Sequence, residues 1–309
     1  MRKVAISYLG IDVGGSKVAF LLESERQGSY QTCFPWPRTT TDVAGDLRAL
    51  SEHLLGLRAR WQEPIASVGV AMPATIDGSG RVVAWPSRPA WVGLELESAL
   101  RELFPGTGIR YADDGDLAAV AEARRANCAD LLYLGVGTGI GGGLVIGGRS
   151  CPGPARGSCE IGHLVVDRFG ADCDCGRRGC LQAVASGPAA LRRAAELRGR
   201  EVTTTELRQA FAERQPWAVS AIEESCAALA VGVVSVAELT HPSLVLIGGG
   251  FAAAFPGLVA TVSTHAARLA RPGHPPPPIH PAALGALSSL HGAVLAARGL
   301  IDPSDAIWR

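Results

Sequence analysis

Two distant stretches of the chain share one plan, and the repetition limits what it can fold into. "VAISYLGIDVGGSKVAFLLESE" (residues 4–25) and "DLLYLGVGTGIGGGLVIGGR" (residues 130–149) each place apolar, β-branched runs on either side of a glycine turn, the pattern of a β-hairpin. In the first half, helical apolar spacing follows in "DLRALSEHLLGLRARW" and "GLELESALREL", with short strands expected at "ASVGVAMPATID", ending at Pro73, and at "GIRYADD". The second half opens with a helix over "LAAVAEARRAN". Beyond its hairpin come helices over "PAALRRAAELRGR" and "VSAIEESCAALAVGVVSVAELT", then a strand running into glycines, "SLVLIGGG". The run "RPGHPPPPIHP" can only be loop or extended chain, and "ALSSLHGAVLAARGL" reads as a closing helix. At 309 residues the chain is near the size where a single core stops growing. The expectation is an internally duplicated α/β fold, two lobes with a cleft between them.

Charge and cysteine usage narrow the function classes. Lysine plus arginine and aspartate plus glutamate both number 29, so no basic field points to nucleic acid and the expected partner is a small molecule. The N-terminus meets a glycine turn too early for a signal peptide, and no apolar run is read as approaching the roughly 20 residues of a bilayer span, so a cytoplasmic protein with no membrane contact is expected. Of the eight cysteines, the scattered Cys33, Cys128 and Cys226 are expected to be buried thiols, and the clustered ones metal ligands.

The glycine turns suit a phosphate cradle, because several backbone N–H groups can converge on one oxygen where no side chain intervenes. Asp12, ending the first strand, is a hard oxygen ligand suited to Mg²⁺. No Walker A sequence or dinucleotide fingerprint accompanies the turns. Asp113 and Asp114 stand at a strand-to-helix junction, where a carboxylate either caps the helix or takes a proton from a substrate hydroxyl. In "EIGHLVVDRFGADCDCGRRGC", Cys173, Cys175 and Cys180 form C-x-C-x4-C, with His163 ahead of them across a strand-like segment. Three thiolates and an imidazole complete a tetrahedral zinc shell with no open position, which is the structural kind. Gly176 and Gly179 let the loop wrap, and a Cys173–Cys175 disulfide would be strained, so zinc is the expected reading and redox chemistry the alternative.

Taken in order, "IDVGGSK", "LGVGTGIGGGLVIGG", "EIGH" and "CDCGRRGCLQAVASG" resemble the ROK family of sugar kinases and sugar-responsive repressors, over essentially the whole chain. The resemblance implies the two-lobed, actin-like ATPase fold, hexokinase-type and ribonuclease H-like. A smaller lobe would span 1–113 plus 291–309, and a larger lobe with the zinc loop 114–290. It implies that Asp12, Gly14, Gly15, Ser16 and Lys17, with Gly137, Thr138 and Gly139, face the phosphates of ATP·Mg²⁺, and that Gly248, Gly249 and Gly250 lie near the nucleotide. Asp114 matches the catalytic base. Glu160 and His163 match sugar-binding residues, His163 also ligating zinc with Cys173, Cys175 and Cys180. Repressor members carry a helix-turn-helix domain ahead of the first turn; with the first strand beginning within a few residues of Met1 none is expected here, so the kinase branch is expected, as a homodimer or homotetramer.

The chain departs from the family pattern around the substrate. Asp113-Asp114-Gly115-Asp116 replaces Asn-Asp-Ala-Asn, Gln182 replaces a sugar-binding glutamate, Ala74 follows Pro73 where glycine is usual, and Ser87 in "PSRPAW" replaces an asparagine. An amide donates and accepts, whereas a carboxylate only accepts, so the hydrogen bonds asked of the substrate change at two points. The expected substrate is a sugar-like compound with a CH₂OH group other than plain glucose: another hexose, an N-acyl hexosamine or a cyclitol, including C7-cyclitols. The alternatives are an ordinary glucokinase-like enzyme and a non-catalytic sugar sensor.

Overall fold

The computed structural model describes residues 6–37, 42–153 and 157–301, which divide into two compact units. One takes in the chain up to Ala121, the described part of Pro152–Ser158 and the chain from Ser289 onward. The other takes in Glu122–Cys151 and Cys159–Ser288.

In the first unit β1 (Ser7–Val13), β2 (Lys17–Ser24) and β3 (Gly28–Pro35) form an antiparallel meander. Helix α1 (Val43–Arg60), capped by the Asp42 carboxylate on the Gly45 N–H at 2.6 Å, returns the chain so that β4 (Ile65–Ala71) runs parallel to β1. A small ladder of β5 (Thr75–Ile76) and β6 (Val82–Ala84) leads to α2 (Leu96–Leu103) and then to β7 (Gly108–Ala112), parallel to β4. Helix α3 (Asp114–Ala126) carries the chain into the second unit.

There β8 (Leu131–Val136), β9 (Ile140–Ile146) and β10 (Arg149–Cys151) repeat the meander. Helices α4 (Leu181–Ala185), α5 (Gly187–Arg198), α6 (Thr204–Ala212) and α7 (Pro216–Thr240) follow, then β11 (Leu244–Gly248), parallel to β8. Helices α8 (Gly250–Ala254) and α9 (Leu258–Arg268) precede β12 (Ile279–Pro281), and α10 (Ser288–Ala297) closes the fold. The sheet orders β3-β2-β1-β4-β7 and β10-β9-β8-β11-β12 are the same plan twice, as the paired glycine-turn hairpins predict.

Each hairpin gains a third strand, β3 or β10, that the apolar pattern does not announce. Strand β3 alternates exposed and half-buried residues, and β10 has only three residues. Cys33 is exposed on β3, contrary to the expected buried thiol, whereas Cys226 is buried on α7 and Cys128 half-buried. The proline run ends in β12, where Pro281 lies on an edge strand that can do without its N–H. Between His163 and Cys173 the expected strand-like segment is a loop with two isolated bridges, Val165 to Cys180 and Asp172 to Arg178. Contrary to the reading that no apolar run is long enough, α7 has the length and composition to cross a membrane, with a mean hydropathy of 1.6. It packs against α4, α5, α6 and α9, and Ile222, Cys226, Leu229 and Val233 are core residues of the second unit.

Helix α10 lies directly on the first sheet. A Cβ at Gly69 would stand 1.9 Å from the Ala293 carbonyl oxygen, and one at Gly10 2.6 Å from Val294 Cγ2, so any side chain there would push the helix off. Around these strands Leu9, Ile11, Phe20, Leu22, Leu50 and Trp85 form the core. In the second unit the buried Glu122 carboxylate accepts from the N–H groups of Ala283 and Leu284, at 3.0 and 2.9 Å, and from the Ser288 hydroxyl at 2.7 Å, fixing the chain just ahead of α10.

A second carboxylate ties the sheet ends of the first unit. Glu63 accepts from the Ser24 hydroxyl, from Arg26 Nε at 2.6 Å and from the Ser7 hydroxyl at 3.2 Å. The Ser24 hydroxyl first, then Arg26 and Ser7, hold its pKa below the ordinary glutamate value of 4.5. A lowered carboxylate stabilises the fold above its unfolded value, and that contribution is lost as pH falls through the folded one. Melting temperature should therefore fall as pH drops below about 4.5, and Glu63→Gln should flatten that acid limb. Parallel melting curves for the two proteins across this range would refute the role.

Candidate functional site

Parallel strands β1, β4 and β7 are in register at Asp12, Ala71 and Ala112. The residues that follow each strand therefore leave the sheet at one carboxyl edge, where ligands of parallel sheets bind. That edge carries Asp12 with the turn Gly14-Gly15-Ser16-Lys17, then Pro73-Ala74, then Asp113-Asp114. A Met72 N–H to Ala112 carbonyl bond of 3.1 Å extends the pairing and keeps the last two together.

Asp12 Oδ2 accepts the Ser289 hydroxyl at 2.7 Å. Burial pushes the Asp12 carboxyl above its usual range, opposed by Ser289 and by Lys17. Such a group is ionised more easily beside a cation, which fits a Mg²⁺ ligand. Asp113 Oδ1 accepts from the N–H groups of Gly115 at 2.9 Å and Asp116 at 3.2 Å. The capping role open to either carboxylate thus falls to Asp113, and Asp114 becomes the first residue of α3, half-buried at the sheet edge. Ala74 is buried, and Ser87 is exposed on the loop before Trp91.

The second unit has its own carboxyl edge. The turn after β8 closes with a Gly137 N–H to Gly139 carbonyl bond of 2.9 Å, and the Gly137 carbonyl accepts from the N–H of Gly187 at 2.9 Å. Thr138 and Gly139 are exposed at its tip. Beside it, Gly249 follows β11 with φ of 90°, and a Cβ there would stand 2.5 Å from both N and O of Val136, so glycine is required on two counts. Gly250 is exposed at the start of α8. From Gly248 opens a mainly apolar cavity of about 440 Å³, bounded by Ile247, Ala252, Phe255, Val259 and Ile279.

In the cysteine loop, the ligand atoms of His163, Cys173, Cys175 and Cys180 all lie within 4.8 Å of one another. His163 Nδ1 is 3.7 Å from Cys173 Sγ, and Cys175 Sγ is 3.6 Å from Cys180 Sγ. A zinc tetrahedron with Zn–S bonds of about 2.3 Å has edges of about 3.8 Å, so the donor set fits that ion. No disulfide joins cysteines among the described residues. Gly176 and Gly179 take φ of 86° and 69°, and a Cβ at Gly179 would overlap the Asp167 carbonyl at 1.4 Å. Backbone and side-chain hydrogen bonds from Arg177 pull the Cys175 thiol down to about 6, whereas burial pushes Cys180 up to about 12. Burial thus disfavours the Cys180 thiolate, a cost that a bound cation would offset.

His163 ends a single 3₁₀ turn that begins just after the exposed Glu160, its N–H donating to the Glu160 carbonyl at 3.0 Å. Gln182 lies just beyond the loop. Its Nε2 donates to Cys173 Sγ at 3.6 Å, and its Oε1 would be 3.3 Å from a Cβ on Gly139, so it spans from the cysteines to the second glycine turn. The residues that sequence reasoning missed grip the first turn: Trp36 Nε1 donates to the Gly14 carbonyl at 2.8 Å and Arg88 Nε to the Gly15 carbonyl at 3.3 Å. Their only sequence signal is the tryptophan-rich setting of "FPWP" and "WPSRPAW".

Comparison with known proteins agrees with this geometry. The ROK family model matches residues 8–299. A kanosamine kinase of Amycolatopsis mediterranei is 54% identical over 294 residues, covering 95% of this chain and 96% of that protein. An N-acetylmannosamine kinase of Vibrio vulnificus is 30% identical over 247 residues, covering 78% of this chain and 82% of that one. The crystal structure of a ROK hexokinase from Thermus thermophilus matches with a TM-score of 0.81 at 30% identity, covering 94% of this chain and 98% of its own. With the same sheet plan in both units and a family match across nearly its whole length, the chain belongs to the ROK family and has its two-lobed, actin-like ATPase fold.

Proposed function

We propose that this chain is a cytoplasmic, ATP-dependent sugar kinase that phosphorylates a primary hydroxyl of an amino sugar. Sugar kinase activity rests on family membership and on near full-length similarity to a kanosamine kinase. The observation that carries the amino-sugar reading is Asp113, a carboxylate at the sheet edge beside Asp114 where the family pattern has an amide. A carboxylate only accepts hydrogen bonds and attracts a cation, so it matches a substrate ammonium as an asparagine matches a hydroxyl. A C7-cyclitol without an amine offers Asp113 no counter-charge, and glucose offers none either. The intact set of Asp12, both glycine turns and Asp114 speaks against a sensor without turnover.

In this reading the N–H groups of Gly15, Ser16 and Lys17, with the Lys17 ammonium, receive phosphate oxygens, as do those of Thr138 and Gly139, while the Gly14 and Gly137 N–H groups close their own turns. The apolar cavity from Gly248 suits a nucleobase. A Mg²⁺ ion held through Asp12 supplies charge neutralisation on the phosphates. Asp114 accepts the proton of the attacking hydroxyl, while Ser87, Glu160 and His163 orient the sugar. Ala74 narrows the pocket by one methyl relative to glycine. Zinc on His163, Cys173, Cys175 and Cys180 supplies no step of the transfer; it ties the loop that carries Glu160 and His163.

Asp114→Asn should lower kcat by about 10²–10⁴-fold with the fold retained by circular dichroism, and near-native kcat would remove Asp114 from its role. In an ADP-release panel of kanosamine, glucose, N-acetylmannosamine and a C7-cyclitol, the amino sugar should give the highest kcat/KM. Asp113→Asn should narrow its lead over glucose by about tenfold or more; highest turnover on glucose or the cyclitol by the unaltered protein would overturn the substrate reading. Stripping metal with a chelator should release about one zinc per chain and raise KM for the sugar. An unchanged KM in the metal-free protein would contradict the role given to the loop.

A further inference from the structure

The first glycine turn is held by side chains that the transfer itself does not use. Arg88 lies beside Ser87 in the loop between Trp85 and Trp91, with its side chain only 15% exposed, and pairs with the Asp46 carboxylate of α1, which is 2% exposed. Its guanidinium stands 4.2 Å from the Trp36 ring centroid. Trp91 Nε1 donates to the same Asp46 oxygen at 2.7 Å. These contacts make Arg88 a fixed strut rather than a mobile surface arginine.

The strut ends on the backbone of the turn. Three successive carbonyls accept from this cluster: Gly14 from Trp36 Nε1 at 2.8 Å, Gly15 from Arg88 Nε at 3.3 Å, and Ser16 from the Trp36 backbone N–H at 3.1 Å. In a trans peptide the C=O and N–H point opposite ways. Drawing these carbonyls to one side turns the N–H groups of Gly15, Ser16 and Lys17 to the other, as a phosphate cradle requires. Ser87 presses on the same turn, since a Cβ on Gly15 would lie 2.4 Å from its Oγ.

We propose that Arg88 is a positioning residue that couples nucleotide and sugar binding: it orients the N–H donors of the first phosphate turn and fastens that turn to the loop carrying Ser87. Substrate seated against Ser87 then tightens phosphate binding at the turn, and the nucleotide tightens the sugar by the same factor. The inference rests on the reading of this turn as a phosphate site and of Ser87 as a substrate contact.

The test measures the dissociation constant of a non-hydrolysable ATP analogue with and without saturating amino sugar, followed by tryptophan emission, alongside kcat and both KM values. In the unaltered protein the sugar should tighten the nucleotide by about fivefold or more. Arg88→Met should weaken nucleotide binding by about tenfold and abolish the mutual tightening. Arg88→Lys keeps a cation for Asp46 but lacks the planar fork that stacks on Trp36 and reaches Gly15, so it should restore stability without restoring the coupling. If Arg88→Met fails to fold once Asp46 loses its guanidinium, Arg88→Met with Asp46→Asn removes both charges and should show the same loss. Folded, active variants that keep the full mutual tightening, or full rescue by lysine, would overturn the proposal. An unaltered protein that turns over no sugar in the panel would instead bring down the functional reading, and this proposal with it.

Discussion

Parallel pairing of β1, β4 and β7, repeated by β8, β11 and β12, is the constraint on which the candidate site depends. Strands that run the same way end at the same edge, so every connection leaving that edge begins beside its neighbours. In the first unit this collects the Asp12 carboxylate, a glycine turn and the Asp113-Asp114 pair, although Asp12 and Asp114 are about a hundred residues apart in sequence. In the second it sets the turn after Val136 against Gly249, so closely that no side chain fits between them. The antiparallel strands β2, β3, β9 and β10 extend each sheet on the other side of β1 and β8.

Glycine-rich loops lose more conformational entropy on ordering than other segments, and the two units order theirs by different means. The first turn is held by aromatic and charged side chains, with Trp36 and Arg88 on its carbonyls and Asp46 and Trp91 behind them. The cysteine loop has no comparable core. Cys173, Cys180 and Ala183 form only a small cluster, and Asp174, Cys175 and Gly176 are exposed. A tetrahedral metal site suits such a segment, because ion binding can offset ordering that apolar burial does not.

The exchanges that set this chain apart from the family pattern have unequal structural consequences. Asp113 caps α3 through one oxygen, a task asparagine performs equally well, so the capping alone does not call for a carboxylate. Gln182 has its amide on Cys173 Sγ, where a donor is favourable beside a thiolate and a carboxylate would be repelled. The departure at Gln182 thus bears on the cysteine loop.

From the sequence alone, the hairpins about Gly14 and Gly137, the duplicated plan, the Asp113-Asp114 junction and the grouping of His163 with Cys173, Cys175 and Cys180 were legible, because each is carried by residues close in sequence whose type already implies the geometry. Strands β3 and β10 were not, since an edge strand needs no apolar alternation once a neighbour supplies its hydrogen bonds. Nor could α7 be assigned to the core by composition, which equally suits a bilayer; only its packing against α4, α5, α6 and α9 decides. Tertiary structure likewise decided which carboxylate caps α3, that Ser289 reaches Asp12 across 277 residues, and that Arg88 and Trp36 orient the first turn. These contacts depend on where the sheet and helices bring remote residues together, and no local pattern encodes that distance.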